Sequence, residues 1–90
     1  MSVDTVIAAL SKVTYFFDRN SEIFTDGERI SDIARSMRGP LMRENIVEFD
    51  ECVDSNLARY PDATVLLLEE LFSVLNIKLR DELSQILVSD

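Results

Sequence analysis

The sequence predicts an all-α fold: one compact bundle over residues 1–90, of four helices, or five if the last is interrupted, ending in a long apolar C-terminal helix. Three observations carry this expectation. Apolar residues recur at spacings of three and four along most of the chain, and no stretch alternates with the period of two that marks a strand. Gly39, Pro40 and Pro61 fall between the periodic stretches, where helices end and begin. The hydrophobic share of 47% is that of a globular chain rather than a disordered one.

The first helix is expected to start from a cap at Ser2 or Asp4, to turn Val3, Val6, Ile7, Leu10, Val13, Phe16 and Phe17 inward, and to end near Asp18. Only two of the consecutive aromatics Tyr15, Phe16 and Phe17 can face a core from one helix, which leaves Tyr15 outside. Arg19 to Phe24 reads as a connecting loop pinned by Ile23 and Phe24. Thr25 to Glu28 then matches a capping box with Phe24 as its staple.

The second helix presents Ile30, Ile33, Ala34 and Met37 to the core, has Arg35 and Arg38 near its negative end, and is expected to close at Gly39-Pro40. The third runs from about Pro40 to Arg59, with Met42, Ile46, Phe49, Val53, Leu57 and Tyr60 as its buried seam, and Pro61 breaks it. Asp62 or Thr64 caps the last helix, which would be ~40 Å long if it continued to Val88. Leu68, Phe72, Leu75, Leu79, Leu83 and Ile86 line one of its faces, while Leu67, Leu71, Val74 and Ile77 spread apolar surface onto others. Asn76, a residue that tolerates left-handed geometry, interrupts this run. The apolar seam keeps its phase across it, so continuity is the expectation.

Seventeen acidic against nine basic side chains give a formal charge of −8, which repels phosphate backbones and anionic lipid, so neither direct nucleic-acid binding nor membrane binding is expected. Residues 41–62 are the acidic centre, with six acidic and two basic groups. Cys52 is the only cysteine, which excludes an internal disulfide and suits a reducing compartment. Asp4 stands where a signal peptide carries positive charge, and no run approaches the ~18 apolar residues of a membrane span. A cytoplasmic protein is expected.

The absence of histidine removes the commonest general base, nucleophile partner and transition-metal ligand. Two glycines cannot build a glycine-rich phosphate cradle. The carboxylates of the third helix read as a solvated face rather than a cation site, Asp18 to Glu28 lacks the ligand order of a calcium loop, and Cys52 reads as a small apolar group. No enzyme activity, cofactor or metal is expected.

What remains is binding. A ninety-residue chain covers its apolar surface incompletely, and the last helix is greasy on several sides. Leu67, Leu71 and Val74 are therefore expected to form a partner surface, favouring a homodimer. Glu44, Glu48, Glu51 and Asp54 are expected to steer a protein with a basic surface, and Tyr15 to add an exposed aromatic. The function expected is a non-enzymatic protein–protein interaction module, a small adaptor, chaperone or inhibitor. The alternative is an acidic mimic of nucleic acid that occupies the basic groove of a nucleic-acid-binding protein.

Overall fold

Five helices run through the residues described by the computed structural model, 2–20, 22 and 27–89. They are α1 (Ser2–Arg19), α2 (Gly27–Met42), α3 (Ile46–Arg59), α4 (Pro61–Leu75) and α5 (Arg80–Val88). No strand occurs among the described residues. The expected Thr25–Glu28 capping box, the Phe24 staple, the Ile23 anchor and the Ser2 cap lie outside what is described.

Two of the corners have the same construction. After α2, the Asn45 amide donates to the Pro40 carbonyl and the Glu44 amide to Leu41, with Glu44 left-handed at φ 55°. After α4, the Ile77 amide donates to Phe72 and the Asn76 amide to Ser73, with Asn76 left-handed at φ 56°. Both are Schellman closures, which satisfy the last carbonyls of a helix by reversing the chain through a left-handed residue. Neither uses glycine. Asn bears that geometry at small cost, Glu at more.

The α3–α4 corner is a single residue. Tyr60 precedes Pro61, whose ring disfavours helical geometry in the residue before it, so the chain must break there. Pro61 then opens α4 at the position where a missing amide costs nothing. The Arg29 guanidinium lies 4.4 Å from the Tyr60 ring centre and ties this corner to α2.

Gly39 and Pro40 do not end the second helix. Pro40 lies inside α2, which runs on to Met42, and α3 starts only at Ile46. A proline has no amide for the carbonyl four residues back, here Ser36. The Cys52 thiol of α3 donates to that carbonyl at 3.6 Å, and Asn56 Nδ2 lies 3.5 Å from the sulfur. The proline's vacancy is thus filled from the neighbouring helix. Met42, expected in the α3 seam, instead ends α2 as an exposed side chain, because the turn at Arg43–Asn45 puts it outside the α3 register.

The core is continuous across all five helices. From α1 it takes Val3, Val6, Ala9, Leu10, Val13 and Phe17, with Phe16 left at the edge, its ring edge-on to Phe17 at 5.2 Å. From α2 it takes Ile30, Ile33, Ala34, Met37 and Leu41, and from α3 Phe49 and Val53. In α4 the buried positions are Ala63, Thr64, Leu67, Leu68 and Leu71, and in α5 Leu83 and Leu87. Thr64 is therefore no cap: α4 has no side-chain cap at its start, and the Thr64 hydroxyl is enclosed without a hydrogen-bond partner, as is that of Ser31. A buried hydroxyl left unpaired is destabilising. Thr64→Val, which keeps the shape and removes the group, is expected to raise stability by about 1 kcal/mol, checked by urea denaturation.

The last helix is two helices. Asn76 turns the chain, Ile77 to Leu79 cross over, and α5 packs mainly on α1. The Glu82 carboxylate accepts from the amides of Lys78 (2.7 Å) and Leu79 (3.2 Å), closing the start of α5. Those two backbone bonds, helped by the Lys78 charge, hold its pKa below the ordinary 4.5. The apolar seam that passes through Asn76 in the sequence is broken in space.

Candidate functional site

Helix α3 presents its acidic side to solvent because Phe49 and Val53, four residues apart, fix the opposite side in the core. Its start is well defined. The Asn45 side chain accepts from the Glu48 amide at 3.0 Å, and Asn45 Nδ2 donates to Glu48 Oε2 at 3.2 Å, so cap and carboxylate hold one another. Glu48 also pairs with Arg43. The other end of the face is set from α5, where Arg80 donates to Asp54 Oδ1 at 2.7 Å and to the Asp50 carbonyl at 3.3 Å. These pairs are solvent-exposed, so their contribution to stability is small. Their effect is positional.

That pinning ties the start of α5 to the α3 carboxylates through the Arg80 side chain, and Leu79 is the residue before it. Leu79 is 62% exposed and Val47, one turn before Asp50 on α3, is 67% exposed. Among the described residues Glu44 and Glu51 form no ion pair, so each carries its charge to solvent. The face is exposed Val47 set among carboxylates, some free and some bridged to arginine, with α5 tied to it through Arg80.

The expected site residues divide. Glu48, Glu51 and Asp54 share α3, and Glu44 stands in the turn leading into it. Leu67 and Leu71 are a correction: each is 0% exposed within the single chain, enclosed in the core. They cannot serve as a partner surface without unfolding. The reason is that α4 turns the Leu67–Leu71 stripe inward and leaves Phe72 and Leu75 of the expected inner face only half-covered, while Leu68 of that face stays buried. Val74, at the last turn of α4, is 41% exposed. Tyr15 is exposed as expected but on another surface, the groove between α1 and α2. There its hydroxyl accepts from Arg19 Nη1 at 2.7 Å, and Arg35 bridges Asp18 and Asp32 nearby.

Leu79, read from the sequence only as part of a helix face, and Arg80 and Arg43 were not among the expected site residues. Arg80 meets residues 26 and 30 positions away, a pairing with no local signature. Among the described residues no three His, Cys, Asp or Glu side chains converge as a metal site, and no helix is long and apolar enough to cross a membrane.

The fold class is thus a small all-α bundle of five helices. Comparison with protein-family models, with curated proteins and with solved structures returned no match.

Proposed function

We propose that this protein is a non-enzymatic protein–protein interaction module, of adaptor, chaperone or inhibitor type, that receives a basic partner on the α3 face. The observation that carries the reading is the exposure of Val47 on the carboxylate side of α3, with exposed Leu79 next in the chain to the Arg80 that bridges to Asp54; Met42, Val65, Leu66, Val74 and Val88 are exposed elsewhere. Aliphatic anchors supply affinity and surrounding charge supplies approach and register. Glu44 supports it: a left-handed position that glycine or asparagine would occupy without strain holds a charged, exposed side chain. A net charge of −8 favours a basic partner, and the lone cysteine suits a reducing, cytoplasmic setting.

Mimicry of nucleic acid is the weaker alternative, because Arg43 and Arg80 lie within the acidic stripe and bridge Glu48, Asp50 and Asp54. A phosphate-like array calls for uncompensated charge.

The test is capture from native cell extract, read by mass spectrometry, with wild type, Val47→Asp, Glu51→Lys and the surface control Val65→Asp. A partner held by wild type and Val65→Asp, lost by Val47→Asp, and weakened severalfold by Glu51→Lys at low salt but less at high salt is expected. Equal capture by all four would reject the α3 face.

A further inference from the structure

We propose that the α4–α5 corner at Asn76 is a hinge, and that its straightening lets two copies of this chain exchange α5, each laying its last helix on the other's α1. The inference does not require the α3 reading to hold, although exchange would carry Leu79 and Arg80 away from the α3 face.

Three observations support it. The sequence on both sides of the hinge suits one continuous helix, since Leu68, Phe72, Leu75, Leu79, Leu83 and Ile86 recur at spacings of three and four without a phase shift. The folded chain interrupts that pattern with a left-handed, non-glycine residue and leaves Leu79 exposed at the joint. Finally, a straight helix over Pro61–Val88 would be about 42 Å long, against a long axis of 38 Å for the whole molecule. Its far end would project beyond its own core with Leu83 and Leu87 uncovered. The α1 surface of a second copy, vacated by its own α5, has the shape those leucines already fit.

Exchange thus preserves the α5 contacts, relieves the left-handed residue and brings the Leu75–Leu79 stretch of two antiparallel helices together. It also withdraws Arg80 from Asp50 and Asp54.

The experiment compares full-length wild type, Asn76→Ala and Asn76→Gly by sedimentation velocity and far-UV circular dichroism over a concentration series. Alanine penalises the left-handed corner and favours the straight helix, whereas glycine accepts the corner and disfavours the helix. Asn76→Ala is expected to dimerise at least ~10-fold more tightly than Asn76→Gly, with higher helicity in the dimer. Asn76→Ala that folds but stays monomeric, or dimerises without gaining helix, overturns the proposal. If Asn76→Ala does not fold, concentrated wild type is taken through mild heating and cooling. A persistent dimer that Asn76→Gly does not form supports exchange, and wild type that returns wholly monomeric overturns it.

Discussion

Leu71→Asp is expected to abolish folding, and Leu71→Ala to lower the unfolding free energy by about 2–5 kcal/mol. Leu71 is wholly enclosed, on the same α4 stripe as Leu67 and at the meeting of several helices. A carboxylate there would lose its hydration with no cation in the core to answer it, and in ninety residues no redundant core could absorb the loss. Loss of the helical signal in far-UV circular dichroism checks the first variant, and urea denaturation the second. A well-folded Leu71→Asp would mean that α4 is turned the other way.

The second large effect belongs to α3. Phe49→Ala is expected to cost about 3–5 kcal/mol, because α3 fully buries only Phe49 and Val53 and the aromatic ring is the bulk of that anchorage. The consequence reaches the partner face, since Glu48, Asp50, Glu51 and Asp54 point outward only while Phe49 points inward. Stability and capture should fall together. Glu51→Lys, an exposed substitution, should change stability by no more than about 0.5 kcal/mol while weakening capture. Denaturation and capture on the same two variants separate the roles of core and face.

The helical class, α1 and the α3–α4 break were legible because each rests on local chemistry: periodicity in Val6, Leu10, Val13 and Phe17, and the constraint Pro61 places on Tyr60. The facing of α4 was misread because both of its stripes are apolar, so hydrophobicity alone names no inner side. A better marker was present. Leu67 and Leu71 stand two residues on either side of exposed Glu69, hence about 200° around the helix from it. The break at Asn76 was the weaker of two local readings: a continuous seam pointed one way, and one asparagine pointed the other. The backbone followed the asparagine. As for the α3 face, its carboxylates could be read from spacing. The arginine that frames it from α5 could not, because only the tertiary fold brings Arg80 to Asp54.

The proline within α2 has an evolutionary consequence. Pro40 leaves the Ser36 carbonyl without its usual amide, and Cys52 supplies a thiol in its place. Neither residue has a fixed worth of its own. An ancestor with alanine at position 40 would have needed nothing from position 52, and a descendant that loses the thiol would inherit the gap. Loss of the thiol is expected to cost more with proline at position 40 than with a residue that keeps its amide, so the two sites are coupled although eleven residues separate them in the chain.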